Sequence, residues 1–375
     1  MFFKDALKSA ADSSVIKSMP KNHKLEIQVM EQVKVGIIGF GFMGTTHWGV
    51  YQGLKNAKVV AVADVDAAKR KGDIFKVVGN IGGGDNSKPL DLSGVKAYAD
   101  AMDLIADPDV EVVDICVPTT LHTQYILAAF KAGKHVFSEK PLCRTSAELN
   151  QIAAAAKKAK GFFNVGLCVR AWPEYRHAYE YFKSGKAGKM LSATFKRISP
   201  GVDGNSWKNW YMDGQMSGGA LLDLHVHDVD EVNYFFGKPK RVTAVGANVV
   251  SKGAVDHVVA TYDFGDGRLV MAEGGWEQAK GATFEMSFTI VCEKATLKLD
   301  ASGYNIFLKS GKKLTPKADV KNGPTGWHQE LAYFVDCVAK GKEPNKYQTL
   351  ASVVDTMKMV FAEEKSAATG KSVKI

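Results

Sequence analysis

Cysteine is scarce in this sequence and badly placed for cross-linking: Cys116, Cys143, Cys168, Cys292 and Cys337 are odd in number, far apart and never in a C-x-x-C pair. The pattern excludes a disulfide framework and a cysteine zinc site, and predicts reduced thiols in a cytoplasmic protein. Long hydrophobic runs are absent too, so no segment reads as a membrane span. The N-terminal stretch carries Lys4, Asp5, Lys8 and Asp12 without a continuous apolar core, which is not the pattern of a signal peptide. Acidic residues are outnumbered, 40 against 49 lysines and arginines, for a formal charge of +9. The basic residues are nevertheless dispersed, and a denser stretch (Lys309, Lys312, Lys313, Lys317 and Lys321) lacks the interleaved aromatics of a nucleic-acid surface. A solvated basic face is expected, with neither nucleic acid nor membrane as partner.

What is present is glycine at a particular spacing. Gly39, Gly41 and Gly44 form G-x-G-x-x-G directly after the apolar residues Val35, Ile37 and Ile38, at the start of a segment suited to a helix. There the first glycine allows a tight turn, the second lets a pyrophosphate approach the backbone, and the third lets helix pack close on strand. The phosphates then face a helix N-terminus, whose free N–H groups and positive dipole end favour anions. Gly39, Gly41 and Gly44, with Phe40, Phe42 and Met43 between them, are the candidate cofactor-binding residues. Twenty residues past the last glycine, Asp64 ends a second apolar run. Its carboxylate is placed to accept hydrogen bonds from a ribose diol and to repel a 2′-phosphate, which predicts NAD rather than NADP. Lys69, Arg70 and Lys71 follow and read as a solvated helix face. A second glycine-rich stretch, residues 79–87, has no Gly-Lys-Ser/Thr after it and reads as a surface loop.

At 375 residues the chain is long enough for two cores. Strands at 33–38, 59–63, 112–117 and 135–138 alternate with helices at 42–54, 66–77, 122–132 and 146–160, the pattern of a doubly wound parallel sheet. A strand at 163–169 leads out of it. Then come β-rich runs at 190–198, 241–250, 257–264, 269–275, 284–292 and 295–300, a helix at 219–236, and closing helices at 328–340 and 349–369. The expected fold class is α/β plus α+β. An N-terminal extension at 1–32 precedes an NAD-binding Rossmann domain at 33–160. A second domain at 161–375 is expected on a mostly antiparallel open sheet, whose open face suits oligomerisation.

Open α/β sheets bind ligands beyond the carboxyl ends of their strands. Pro118, Thr119 and His122 follow one such end, and Glu139, Lys140 and Pro141 follow the next. A lysine beside a nicotinamide cation, partly withdrawn from water, can exchange protons near neutral pH; read alone, Lys140 is an exposed loop lysine. Asp223, His227 and Asp230 fall at i, i+4 and i+7 of the helix expected at 219–236. A carboxylate one turn from an imidazole orients it as a general base, whereas the plainer alternative is the solvated face of an amphipathic helix. His225 and His227 do not make a metal site, because i, i+2 side chains diverge on a helix. Trp207, Trp210, Tyr211 and Trp276 lie near these residues in sequence or at a strand end, where aromatic faces either stack on a sugar ring or pack a core.

Together, the glycine fingerprint with Asp64, the stretch from Ala106 to His122, the tripeptide Glu139-Lys140-Pro141, Gly218 and Gly219 ahead of Asp223 and His227, and the closing Gly370-Lys-Ser-Val resemble the Gfo/Idh/MocA oxidoreductase family (glucose-fructose oxidoreductase, inositol dehydrogenase). The resemblance runs from about Val33 to the C-terminus. It implies that the domain at 161–375, on its large sheet, binds substrate, with Lys140, Asp223 and His227 as the proton-handling catalytic trio, Glu139 at the nicotinamide end, and Arg170 near cofactor or substrate. The implied activity is NAD-dependent, reversible oxidation of a secondary hydroxyl of a sugar, sugar derivative, glycoside or cyclitol, by a homodimer or homotetramer joined through the C-terminal sheet. Two alternatives keep the cofactor: NAD held tightly and recycled in transient-oxidation glycoside cleavage or sugar–sugar oxidoreduction, and a non-enzymatic NAD-responsive binding protein. His225 stands where many members have glycine and Thr120 where many have asparagine, which leaves the substrate open.

Overall fold

The computed structural model describes residues 32–75, 77, 88–202, 204, 206–317 and 319–375. The extension expected at 1–32, Gln32 apart, and the loop expected at 79–87 lie outside the described residues.

Strands β1 (Val33–Ile38), β2 (Ala57–Ala63), β3 (Lys96–Tyr98), β4 (Val112–Ile115), β5 (His135–Glu139) and β6 (Phe163–Gly166) form one sheet in the order β3-β2-β1-β4-β5-β6. All five pairings are parallel. The order reverses between β1 and β4, so a crevice opens beyond their carboxyl ends. Five of six residues of β1 and all four of β4 are buried, as a sheet covered on both faces requires. Four helices connect these strands: α1 (Phe42–Gln52), α2 (Ala101–Ala106), α3 (His122–Lys131) and α4 (Ser146–Ala156). Asp100 caps α2 and a Thr145/Glu148 capping box starts α4, but α1 has neither a side-chain cap nor an acid in its first turn. Its leading N–H groups are left for a ligand.

The helix expected at 66–77 is a single 3-10 turn, Lys69–Lys71, closed by Gly72 in the left-handed region at φ 85°. Gly72 in the left-handed conformation ends the turn, and the charged residues Asp66, Lys69, Arg70, Lys71 and Asp73 dominate the segment around it. Strand β3 escaped sequence reading because it is three residues long with none buried. Strand β6 hydrogen-bonds to β5, so the parallel sheet runs past residue 160.

The second half comprises α5 (Pro173–Lys183), β7 (Met190–Pro200), α6 (Gly214–Ser217), α7 (Gly219–Asp223), α8 (Val226–Phe236), β8 (Arg241–Ala247), β9 (His257–Asp263), β10 (Leu269–Gln278), β11 (Glu285–Cys292), β12 (Ala295–Asp300), β13 (Gly303–Leu308), β14 (Lys313–Leu314), α9 (Gly326–Ala339), α10 (Leu350–Thr369) and β15 (Val373–Lys374). Its nine strands order as β14-β13-β12-β11-β7-β10-β9-β8-β15, and only β7 with β10 is parallel. Strands β8 and β9 alternate buried and exposed residues, one face packing on helices and the other open. Val245, Val259, Leu269, Met271 and Phe307 are exposed. No helix among the described residues is long and apolar enough to cross a membrane.

Helix α9 returns to the parallel sheet. Leu331, Phe334 and Val335 pack in one cluster with Val35, Ile37 and Phe137, the Phe334 and Phe137 rings lying 5.5 Å apart edge to face. The face of the first sheet is thus completed by a segment from the far end of the chain. Phe334→Ala should lower folding stability by about 3–5 kcal/mol, read as a drop in the urea midpoint with unchanged slope.

Candidate active site

The glycine fingerprint is set as its spacing requires. Gly39 adopts φ +88°, and a Cβ there would lie 2.6 Å from the Cys116 carbonyl; a Cβ on Gly44 would collide with the Gly39 carbonyl. Helix and strand meet at a separation only glycine allows. Above Gly41 the space is open, with nothing within 4 Å of a Cβ, beside the uncapped start of α1. Asp64 accepts the Phe40 N–H (2.7 Å) on one carboxylate oxygen and the Asp66 N–H (2.8 Å) on the other. These bonds fix the carboxylate next to the loop and leave lone pairs for ribose hydroxyls. Open space, free amides and an anchored carboxylate fit a dinucleotide. Arg70, read as part of a solvated face, instead donates to the Asp64 carbonyl (2.7 Å) and the Val65 carbonyl (3.1 Å).

Pro118 leads from β4 into a turn in which Thr119 is buried with its hydroxyl unpartnered. His122, expected among the cofactor-binding residues, has both ring nitrogens against backbone carbonyls. Only 1% exposed, its ring is wedged between the Pro141 carbonyl (Nδ1, 2.9 Å) and the Val117 carbonyl (Nε2, 2.8 Å), and burial holds its pKa below the ordinary value. It braces the turn carrying Glu139 and Lys140 against the end of β4.

Beneath that turn lies a buried ionic chain that sequence reading missed. Glu139 Oε1 is 3.2 Å from His47 Nε2, and His47 Nδ1 is 2.9 Å from Asp114 Oδ2, which also accepts the Tyr51 hydroxyl at 2.9 Å. Burial alone would depress the His47 pKa, but the Asp114 carboxylate and the Cys116 sulfur beside it together hold the pKa well above the usual value. His47 is thus an imidazolium between two carboxylates. A Cβ on Gly166 would lie 2.6 Å from Glu139 Oε1, so glycine in β6 makes room for the carboxylate. His47, Asp114 and Cys116 bring metal-ligating atoms together, yet each is already engaged within this network. Their partners come from separate elements, so no local spacing marks the chain.

The helix expected at 219–236 is broken. Helix α7 stops at Asp223 and α8 starts at Val226, and the His227 amide bonds to the Leu224 carbonyl (3.5 Å). The Asp223 carbonyl, thereby released from an i+4 bond, accepts Lys140 Nζ at 2.7 Å, and the Asp223 carboxylate takes the same ammonium at 3.3 Å. The break coincides with buried His225, whose Nε2 lies 3.2 Å from Glu363 Oε2 of α10. The i, i+4 expectation for Asp223 and His227 therefore fails: the carboxylate serves Lys140, and His227 Nδ1 is buried without a partner. Burial, reinforced by the charges of Lys140 and Arg197, depresses the His227 pKa well below 6.5. A neutral imidazole able to accept a proton results.

Glu139, Lys140, Asp223 and His227 line one cleft of about 340 Å³, together with Phe42 and Met43 of the glycine loop. Tyr211 and Trp276 line it as well, and so do Trp172, Trp327, Glu174 and Arg197, which sequence reading did not single out. Trp207 and Trp210 are outside the lining. Arg170, expected near cofactor or substrate, is not among the residues lining the cleft: it is 1% exposed, pairs through two nitrogens with Asp230 (2.6 and 2.5 Å) and donates to the Tyr347 carbonyl (3.2 Å). Asp230, expected to face Asp223 and His227, is that arginine's counter-ion.

A glycine-loop parallel sheet joined to a large, mostly antiparallel sheet, with a lysine and a histidine of depressed pKa at the crevice between them, is the arrangement of a nicotinamide-linked oxidoreductase. The chain belongs to the Gfo/Idh/MocA oxidoreductases: residues 33–167 match the family's NAD-binding Rossmann fold and residues 175–298 its C-terminal domain. Among curated relatives it is 32% identical over 228 residues to levoglucosan dehydrogenase of Pseudarthrobacter phenanthrenivorans, covering 58% of this chain and 54% of that protein. It is 30% identical over 246 residues to myo-inositol 2-dehydrogenase of Thermotoga maritima, covering 63% of this chain and 66% of that protein. A solved levoglucosan dehydrogenase in complex with NADH and levoglucosan shares the fold, with TM-score 0.76 at 22% identity over 92% of this chain and 100% of that one. The depressed pKa of His227 makes a prediction about this site. In protein with labelled histidine imidazoles, His227 should titrate below pH 6.5 by NMR, and Lys140→Met should move that titration upward by removing a positive charge; an unmoved titration would contradict the assigned cause.

Proposed function

We infer that the protein oxidises, reversibly, a secondary hydroxyl of a sugar, sugar derivative or cyclitol, using NAD, with Lys140, Asp223 and His227 as its catalytic residues. The observation that carries this reading is the convergence of Lys140 Nζ, the Asp223 carboxylate and the neutral His227 ring in one cleft beside the glycine loop. The names of the relatives, levoglucosan dehydrogenase and myo-inositol 2-dehydrogenase, support it. Gly39, Gly41 and Gly44, with Phe40, Phe42 and Met43, would hold the pyrophosphate, Asp64 the ribose, and Pro118, Thr119 and Glu139 the walls toward the nicotinamide. When bound, NAD⁺ supplies the acceptor for the carbinol hydride. The chain's own part is the proton. The substrate hydroxyl releases it to His227, kept neutral by burial and by nearby cations, while the Lys140 ammonium donates a hydrogen bond to the developing alkoxide. Asp223 holds that ammonium in place.

Five free thiols and the nicotinamide pool favour the cytoplasm. The exposed apolar residues of the open sheet face, Val245, Val259, Leu269 and Met271 among them, favour a homodimer or homotetramer through that sheet. A screen of sugars and cyclitols for NADH absorbance should find a substrate. With that substrate, Lys140→Ala and His227→Ala should each lower turnover by about 10²-fold or more while NAD affinity stays within a few fold; wild-type rates in both would sink the assignment. Light scattering should return a dimer or tetramer, and a stable monomer would count against the sheet interface.

A further inference from the structure

Glu174 stands at the second position of α5, directly after Trp172 and Pro173, and lines the cleft. Its Oε2 is buried and has no hydrogen-bond partner. A buried acceptor without a donor is costly unless something brings one, and a carboxylate is an acceptor only. The missing partner is therefore a donor, and the remaining charges of the cleft restrict what kind. Its two cationic side chains are committed: Lys140 to Asp223, and Arg197 to Asp228 through two nitrogens, at 2.9 and 3.4 Å. His227 is neutral. The other carboxylates stand beside positive charge: Glu139 Oε1 makes no hydrogen bond but lies 3.2 Å from His47 Nε2, its Oε2 accepts the Lys140 amide, and Asp300 pairs with Lys298 and accepts from Ser302. No cation is left for an anionic substrate, whereas one carboxylate is left for hydroxyl donors. Trp172 and Trp327, edge to face at 5.5 Å, supply part of the cleft's apolar wall.

We propose that Glu174 determines specificity: its carboxylate accepts hydrogen bonds from hydroxyls of a single uncharged sugar or cyclitol ring packed against Trp172 and Trp327, and the cleft rejects sugar acids. This rests on the dehydrogenase reading above. The volume of about 340 Å³ is near the lower end of small-molecule pockets, which suits one ring beside a nicotinamide and not a nucleotide-linked sugar. A carboxylate on the substrate would meet Glu174 as a like charge in a partly dehydrated site, which is repulsive.

The test pairs D-glucose with D-glucuronate, which differ only in the oxidation state of one exocyclic carbon, and adds levoglucosan, myo-inositol and D-galacturonate. Wild-type enzyme, Glu174→Gln and Glu174→Ala are compared by NADH formation and by quenching of tryptophan fluorescence in the preformed NADH complex. Wild type should favour the neutral compounds over the uronates by about tenfold or more in kcat/KM or in affinity. Glu174→Gln should weaken the best neutral ligand by about 10- to 100-fold, mainly in KM, and narrow the gap to the uronate, with NADH affinity and melting temperature unchanged. Equal or better binding of the uronate by wild type, or an unaltered KM in Glu174→Gln, overturns the proposal and leaves the dehydrogenase reading standing. Failure of every polyol with NADH bound removes that reading, and the proposal falls with it.

Discussion

Lys140 Nζ bonds at once to the carbonyl and the carboxylate of Asp223, at 2.7 and 3.3 Å, and this contact joins the carboxyl end of the parallel sheet to the α7–α8 break of the second half. Both side chains are largely withdrawn from water, at 16% and 12% exposure, so neither charge is well solvated without the other. The carbonyl is free to bind because the helix breaks after Asp223, and the break coincides with the turn of His225 toward Glu363 on α10. A device that looks local is thus set by a helix near the end of the chain. The same turn of β5 is held from below by the Asp114–His47–Glu139 ionic chain and from the side by His122.

This arrangement gives Lys140 and His227 different surroundings within one cleft. Lys140 is paired with a carboxylate, whereas His227 lacks one and feels Lys140 and Arg197 as positive neighbours. Had Asp223 bonded to His227, as the i, i+4 spacing suggests, the imidazole would have been drawn toward its cationic form and Lys140 would have lost its anchor. The break in the helix decides between the two outcomes.

How much of this was legible in the sequence follows from how local each determinant is. The glycine loop, Asp64 and the strand-end tripeptide at Glu139 are set by backbone geometry over a few residues, and all stand where their spacing places them. The alternation of β8 and β9 announced an open sheet for the same reason. Three-residue β3 and the 3-10 turn at Lys69–Lys71 were not legible, since neither buries enough to imprint a period. Arg170 and Asp230 suggested site residues, yet they satisfy each other across separate elements. His47, Glu174 and Arg197 gave no signal because each acquires its meaning from residues far away in the chain. Sequence patterns report the backbone well and the tertiary charge pairing poorly.

The central claim is that the cleft moves a hydride from a carbinol carbon to nicotinamide while the chain takes the hydroxyl proton. Its most direct test is isotope transfer: the protein, NAD⁺ and a substrate polyol carrying deuterium at its carbinol carbons are incubated together, and the NADH formed is recovered and weighed by mass spectrometry. The account predicts NADH heavier by a single deuterium, with the ketone product lacking it. NADH without the label, or loss of the carbinol deuterium to solvent, would contradict it.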